Sequence, residues 1–275
     1  MGAMFSQIQI IKINIIKVYQ YLFVKLPVSF TIRNDMIIDI TELNIPKNTT
    51  RLLCIRNTFS SEMFKQFLIH LSNYKNLTTL YFNYINMHNA KLHYINMISN
   101  LQVIIITMCH DINILSLFAG IHKLKIKTLV LSHNKINKIN KINDINKIND
   151  ITHICNGLRH FANSLEILDL SGNLFGDNGI YNLCHVLQYL KKLKKLCISN
   201  NSITNNELLL LIDILPVLKY LENLEIDRNG ITSSIYESLT ITLNKLPNIQ
   251  KVDIDKTIVN NIAWEDIPEY YILCS

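Results

Sequence analysis

The sequence predicts an α/β fold, a right-handed, horseshoe-shaped solenoid of about eight units that each hold a short strand and a helix. The main observation is a pattern, L-x-x-L-x-L-x-x-N-x-φ with φ a large apolar residue, that occurs four times with Thr once in the Asn position. Its copies begin 28 residues apart, at Leu165, Leu193, Leu221 and Ile249. A fixed period of this length is typical of chains whose units bury their apolar faces only against their neighbours.

The strand and the turn of each unit follow from the first nine positions of the pattern. In the first copy, Leu168 and Leu170 alternate with other residues, as they do in a strand with one buried face. The chain then turns, and a buried Asn can both donate hydrogen bonds to the backbone of that turn and accept them from it. We therefore expect a turn ladder, a stack of buried polar side chains, at Asn57, Cys109, Asn134, Asn173, Asn201 and Asn229.

The second half of each unit is predicted to be helical. Thr204-x-x-Glu207 and Ser234-x-x-Glu237 have the capping-box pattern of a helix start. Apolar residues at helical spacing follow, among them Leu211. The strands are then expected to form a parallel sheet on the concave side of the solenoid.

The unit length is less regular before Leu165. Earlier copies begin at Thr49, Leu77, Leu101 and Ile126, which lie 28, 24 and 25 residues apart, and the next interval is 39 residues. The surplus of eleven residues coincides with a low-complexity run, 135–151, in which Ile recurs at every third position from Ile136. We expect an N-terminal cap segment over 1–48, repeats over 49–259 with 135–151 as a mobile insertion, and a C-terminal cap over 260–275.

The unit length, the helix after each strand and the run Leu-Ser-Gly-Asn-Leu-Phe-Gly-Asp-Asn-Gly at 170–179 resemble the leucine-rich repeat of the ribonuclease-inhibitor type. That family includes ribonuclease inhibitor, the activating proteins of the Ran GTPase and the sensor halves of nucleotide-binding immune receptors. The resemblance implies a protein-binding scaffold that uses its concave face. An alternative is a regulator of a small GTPase, although the acidic C-terminal tail common in the Ran activators is missing from this sequence.

The outward positions of the strands predict what the concave face presents. They carry apolar and aromatic residues in the N-terminal units and carboxylates in the C-terminal units. We expect the apolar end to be open to solvent and to contact a protein partner, and the acidic end to steer a basic segment of that partner. The candidate contact residues are Tyr81, Tyr84, Ile105, Met108, Val130, His133, Asp169, Cys197, Glu225, Asp227, Arg228, Asp253 and Asp255.

Charge and cysteine content narrow the partner and the compartment. The chain has 275 residues and a formal net charge of +6, and its Lys residues are scattered rather than gathered in one run. Because a compact basic stripe is missing from the sequence, a nucleic-acid partner is not predicted. The six cysteines form no CxxC pair and no secretory signal peptide is recognisable, which favours a reducing, cytoplasmic location. The sequence does not predict an oligomeric state.

The first residues carry a second, weaker signal. Met1-Gly2-Ala3-Met4-Phe5-Ser6 matches the N-myristoylation pattern at Gly2, and Gly-Ala-Met also resembles a remnant of an expression vector. Segment 8–25 has apolar residues on one helical face but is interrupted by lysines, so no span long enough to cross a membrane is predicted. Either this segment caps the first coil, or it acts with a Gly2 lipid in a membrane-tethered adaptor at the membrane periphery.

No catalytic chemistry is predicted. The sequence has no Walker A motif, no GxGxxG and no GxSxG, and its His and Cys residues match no zinc spacing. The carboxylates of the C-terminal units have no His, Ser or Lys placed with them as a catalytic triad requires. We therefore expect a protein that is not an enzyme and that needs neither a cofactor nor a metal.

Overall fold

The computed structural model describes residues 29–33, 43–136, 150–259 and 267–274. Over these residues it contains one sheet of ten parallel strands, which follow one another across the sheet in chain order. The predicted α/β repeat solenoid is therefore confirmed. The strands are β1 (Ser29–Arg33), β2 (Arg51–Ile55), β3 (Thr79–Asn83), β4 (Val103–Thr107), β5 (Thr128–Val130), β6 (Ile167–Asp169), β7 (Lys195–Cys197), β8 (Asn223–Glu225), β9 (Lys251–Asp255) and β10 (Tyr271–Cys274).

Helical segments connect the successive strands from β2 to β9 on one side of the sheet. The α-helices of the described residues are α1 (Ser61–Leu71), α2 (Ile114–Ile121), α3 (Asp150–Leu158), α4 (Gly176–Leu187), α5 (Asn205–Ile214) and α6 (Tyr236–Leu243). Shorter 3-10 helices span Leu92–Met97, Arg159–Phe161, Leu215–Val217, Ser233–Ile235 and Lys256–Val259. The 24-residue unit between β3 and β4 has only the 3-10 segment Leu92–Met97, whereas the 25-residue unit that follows it contains helix α2.

The core lies between the sheet and the helices. Leu168, Leu196 and Leu224 are aligned on adjacent strands and have no exposed surface. From the helix side, residues such as Leu183 and Leu211 are buried against the same cluster. Because each of these rows continues from unit to unit, burial of apolar surface against the neighbouring coil is the main source of stability.

The two ends of the sheet extend beyond the predicted repeats. Strand β1, within the predicted cap segment 1–48, pairs with β2 and places Ile32 in the core beside Cys54. Strand β10, within the predicted cap segment 260–275, pairs with β9, and the Tyr271 hydroxyl lies 3.0 Å from Thr240 Oγ1. Each end strand therefore covers an edge that would otherwise leave backbone groups unpaired.

Several predictions fall on residues that the structure does not describe. Gly2, segment 8–25 and residues 137–149 of the insertion lie outside the described ranges. The two ends of the insertion are described, and they are anchored: Ile136 and Ile151 are both buried in the core. No helix among the described residues is long and apolar enough to cross a membrane.

The predicted capping boxes do not form. Helix α5 starts directly after Thr204, as the pattern predicts, but Ser234 lies within the 3-10 turn before α6 instead of preceding it. The Thr204 side chain makes no cap hydrogen bond within α5, and its hydroxyl donates to Asp177 Oδ2 at 2.8 Å. Ser234 Oγ accepts from Asn205 Nδ2 at 2.9 Å. The prediction was wrong because these side chains bind the neighbouring coil, which a pattern read within one unit does not reveal.

Candidate protein-binding face

The face of the sheet opposite the helices, here called the open face, carries the predicted contact residues. Parallel pairing sets its side chains in rows that run across the strands. The middle row contains Leu53, Tyr81, Ile105, Val130, Asp169, Cys197, Glu225 and Asp253. A second row lies two residues earlier in each strand, and adjacent strands are about 4.8 Å apart, so neighbours in a row are in contact distance.

The apolar end of the open face is not open to solvent. Tyr81, Ile105 and Val130 are 7%, 0% and 2% exposed, and they form a cluster of their own with the partly buried Leu53 and Val103. The prediction of a solvent-open patch is therefore wrong for these three side chains. Large side chains in one row lie close enough to cover one another. The prediction considered only which strand positions point outward and did not consider this mutual cover.

The acidic end of the open face is largely paired. Lys195 forms an ion pair with Glu225, and Lys251 Nζ lies 2.8 Å from Asp253 Oδ2. Both lysines belong to the row two residues before the carboxylates, and neither was predicted from the sequence. The same two-residue alternation that identified the carboxylates could have found them. An unbroken acidic surface for a basic partner segment is therefore absent from this end.

Burial and pairing have opposite effects on these carboxyl groups. Burial raises the pKa values of Asp169, Asp227 and Asp253. Burial also opposes ionisation of Glu225, but the Lys195 ammonium outweighs it and the pKa of Glu225 is lowered. The Asp227 carboxylate accepts a hydrogen bond from Ser199 Oγ and lies 3.4 Å from Arg228 Nε. These groups are suited to holding adjacent coils together, and they leave little free negative charge at the surface.

A column of left-handed residues borders the open face where each strand ends. Seven residues at equivalent positions in successive coils have φ between 53° and 69°. We call this set the turn column: Arg56, Tyr84, Met108, His133, Gly172, Asn200 and Arg228. Each backbone N–H in the column donates to the next coil; for example, His133 N donates to Ser171 O at 2.8 Å. This repeated bond explains why the same backbone conformation recurs.

Most side chains of the turn column reach solvent. Arg56, Tyr84, Asn200 and Arg228 are exposed, whereas Met108 and His133 are partly exposed. The Arg56 guanidinium lies 5.5 Å from the centre of the Tyr84 ring, a cation–π contact between adjacent coils. Tyr84, Met108, His133 and Arg228 were predicted contact residues. Arg56 was missed, although it directly precedes the ladder residue Asn57 as Met108 precedes Cys109.

The turn ladder connects consecutive coils through side-chain oxygens. Asn134 N donates to Asn173 Oδ1 at 3.0 Å, Asn173 N to Asn201 Oδ1 at 3.1 Å, and Asn201 N to Asn229 Oδ1 at 2.8 Å. Cys109 N donates to Asn134 Oδ1 at 2.8 Å, and Ile85 N contacts the Cys109 sulfur at 3.4 Å. Asn57 is buried at the corresponding position of its unit.

The ladder, the repeated leucines and the strand–helix alternation together define the architecture. The fold is that of a leucine-rich repeat protein. No protein-family model matches the chain, and no curated protein matches it. Similar solved structures exist. A chain in the octameric complex of Latrophilin 3 (Lec, Olf), Unc5D (Ig, Ig2, TSP1) and FLRT2 (LRR) has 17% identity and a TM-score of 0.47, with 84% of this chain and 71% of that chain covered.

Two further solved structures are similar to this chain. A protein from Bacteroides fragilis has 13% identity and a TM-score of 0.47, with 80% of this chain and 68% of that one covered. Internalin C2 from Listeria monocytogenes has 19% identity and a TM-score of 0.39, with 70% and 71% covered. What those proteins bind does not transfer to this leucine-rich repeat chain, because a shared fold does not determine a shared partner.

The described part of the chain holds no group of three or more His, Cys, Asp or Glu side chains placed to bind a metal ion. Cys197, one of the predicted contact residues, is 1% exposed and lies between Asp169 and Glu225 in the middle row. Cys54, Cys109, Cys155, Cys184 and Cys197 are free and buried. The polar groups of the open face that a partner can reach are therefore those of the turn column and of the two lysines Lys195 and Lys251.

Proposed function

We propose that this leucine-rich repeat chain is a non-enzymatic scaffold that binds a protein partner on the open face, mainly through the turn column. One observation carries the proposal. Six of the seven residues in the column are not glycine, although their backbone is in the left-handed region. That conformation costs an ordinary residue roughly 1–2 kcal/mol, and glycine avoids the cost.

The column itself shows that glycine is compatible with the turn. Gly172 has the same conformation and makes the same backbone bond to the next coil, with Gly172 N to Ser199 O at 2.9 Å. The fold therefore does not need the side chains of Arg56, Tyr84 and Arg228 at this position. Residues with a strained backbone, at a position where glycine would cost less free energy, support a functional role for their side chains. Tyr and Arg are also enriched where proteins contact one another.

The exposed charges of the open face favour a partner segment that is acidic or polar. Arg56, Arg228 and Lys256 are exposed, and Lys251 is 39% exposed, whereas Asp227 is only 12% exposed. Among the carboxylates that suggested a basic segment, Glu225, Asp227 and Asp253 are mostly buried and paired with cations. A partner with carboxylate and amide groups would find cationic donors along the edge of the sheet.

The finer assignments rest on this same architecture. The 28-residue unit with an α-helix of 8 to 12 residues supports the ribonuclease-inhibitor type of repeat. The five free, buried cysteines support a reducing compartment such as the cytoplasm.

The test begins with capture of the partner by pull-down and mass spectrometry and then compares two matched pairs of variants. Tyr84→Gly with Arg228→Gly removes side chains from the turn column and relieves the left-handed strain. Lys135→Gly with Ser202→Gly relieves the same strain at exposed sites outside the column. We expect the first pair to weaken binding at least about tenfold, since truncation of one central contact commonly costs 2 kcal/mol or more.

The second pair is expected to bind as the unmodified chain does, because it changes the backbone in the same way without touching the column. Both pairs are expected to melt at the same or a higher temperature. Equal binding by all variants would place the site away from the open face and overturn the proposal.

A further inference from the structure

The segments that lead into the strands form one continuous edge of the solenoid, here called the entry edge. It consists of residues 43–50, 72–78, 98–102, 122–127, 159–166, 188–194, 215–222 and 244–250, which precede β2 to β9. Backbone bonds join these segments in order; for example, Lys127 N donates to Gln102 O, and Glu166 N to Lys127 O, each at 2.8 Å. Side chains that are far apart in sequence therefore lie side by side on this edge.

The entry edge is strongly basic. It holds eleven cationic side chains and two acidic ones, Glu166 and Glu222, so its formal charge exceeds the +6 of the whole chain. The described residues of the segments that leave strands β2 to β8 toward the helices, which exclude 137–149, hold four cationic and two acidic side chains. The cations of the entry edge are Lys47, Lys75, Lys123, Lys125, Lys127, Arg159, Lys191, Lys192, Lys194, Lys219 and Lys245.

Most of these cations are exposed and have no ion-pair partner among the residues that the structure describes. Lys194 pairs with Glu166 at 2.8 Å, and Lys75 Nζ donates to Ser72 O at 2.9 Å. Within the described ranges, Lys123, Lys192 and Lys219 have no carboxylate within 4.0 Å. A lysine just after a helix interacts favourably with the helix dipole. That effect accounts for one cation per helix end, and segments 122–127 and 188–194 carry three each.

Aromatic and apolar side chains accompany the charge. Tyr189 is 47% exposed, Tyr220 is 58% exposed, and Val217 is 38% exposed, all on the entry edge. The Arg159 guanidinium lies 5.4 Å from the centre of the Tyr189 ring, so cation and aromatic ring form one surface across two coils. Tyrosine is enriched at the boundary between membrane and water, where its ring and hydroxyl meet different environments.

We propose that the entry edge docks on an anionic lipid surface. Cations in a row along one edge can all approach a flat, negatively charged leaflet at the same time. Ten of the eleven cations of the edge are lysines, and arginine is the residue that binds phosphate in a bidentate manner. A row of lysines is therefore better suited to the spread negative charge of a leaflet than to the individual phosphates of a nucleic acid.

Docking through the entry edge does not depend on the open face or on Gly2. The open face lies on the strands themselves, so a protein partner and a membrane could be held at once. The membrane contact predicted from the sequence depends on a lipid at Gly2 and on segment 8–25. Docking through the entry edge depends only on residues that the structure describes.

The test measures sedimentation of the full chain, without acylation, with vesicles of phosphatidylcholine alone or mixed with phosphatidylserine. The variant Lys192→Glu/Lys219→Glu reverses two charges on the entry edge. Its control, Lys135→Glu/Lys256→Glu, makes the same change in net charge at exposed sites elsewhere. We expect binding only to the mixed vesicles, a loss of at least about tenfold for the entry-edge variant, and less than about threefold for the control.

Two further measurements sharpen the result. Rising salt is expected to release the protein from the vesicles, because it shortens the range of the attraction. Tyr189→Ser/Tyr220→Ser is expected to weaken binding while leaving the salt dependence unchanged. Equal binding to both kinds of vesicle, or equal losses in the two charge-reversal variants, would overturn the proposal. Binding to single-stranded poly(U) RNA without binding to vesicles would assign the edge to nucleic acid instead.

Discussion

The His133 imidazole occupies the space that a side chain at Gly172 would need: a Cβ atom on Gly172 would lie 2.2 Å from Nδ1. Gly172 also has φ of 69°, in the left-handed region. Two adjacent members of the turn column thus depend on each other. Because the His133 imidazole fills this space, the equivalent residue of the next coil, Gly172, cannot carry a side chain.

The first prediction tests this dependence. Gly172→Ala is expected to destabilise the protein by more than Gly176→Ala, which has a similar φ of 60° and open space around it. The Gly176 change should cost about 1 kcal/mol from backbone strain alone. In a His133→Gly background the two substitutions are expected to cost the same, since the clash is gone. Denaturant unfolding of the five variants, His133→Gly included as the reference for the double variants, measures the difference. An extra cost for Gly172→Ala that persists without His133 would contradict the assignment.

The second prediction concerns the turn ladder. Asn201→Ala leaves the Asn173 N–H without its acceptor. The Leu170 and Ile198 carbonyls each lose one amide donor at 3.0 Å and keep one, from Asn173 and Asn229 respectively. Because these groups are buried, we expect a loss of roughly 1–3 kcal/mol in the free energy of unfolding. Asn182→Ala is the matched control, since its side chain donates only to Asn178 O on the helix surface. A loss no larger than that of the control would show that water replaces the ladder.

The third prediction is a pair of opposite pH dependences. Burial raises the pKa of Asp227, so its contribution to stability is present at low pH and is lost as pH rises through that pKa. The Lys195 ammonium lowers the pKa of Glu225 against the effect of burial, so its contribution is present at neutral pH and is lost as pH falls through that pKa.

Asp227→Asn is therefore expected to gain stability relative to the unmodified chain as pH rises, and Glu225→Gln to lose it. Chemical unfolding of both variants across the acidic range checks the sign. Curves that run in the same direction would show that Lys195 does not discriminate between the two groups.

The fourth prediction concerns the insertion. Removal of eleven residues between Ile136 and Ile151 restores the 28-residue interval, and shortening a loop changes its closure entropy only slightly. We expect the melting temperature to be unchanged or slightly higher. Ile151→Ala is expected to cost about 2–5 kcal/mol, because Ile151 is 1% exposed in the core. A large loss on deletion would mean that isoleucines between these two anchors also pack on the solenoid.

The sequence by itself determined the unit: its length, its strand, its buried leucines and the place where its chain turns. These features depend on residues within about ten positions of one another, and four repetitions at one interval exclude chance. The positions Asn134, Asn173, Asn201 and Asn229 could be named in advance for this reason. Their hydrogen bonds then follow, because the same turn recurs one coil further on.

Only the tertiary structure decided what each surface presents. Three features depend on residues from neighbouring coils: the ion pair of Lys195 with Glu225, the burial of Ile105 and the bond from Thr204 to Asp177. Lysines that are scattered along the sequence become one basic edge for the same reason. Parallel pairing brings residues separated by 24 to 39 positions to within about 4.8 Å in the strands. The sequence of a single unit does not reveal contacts of that kind.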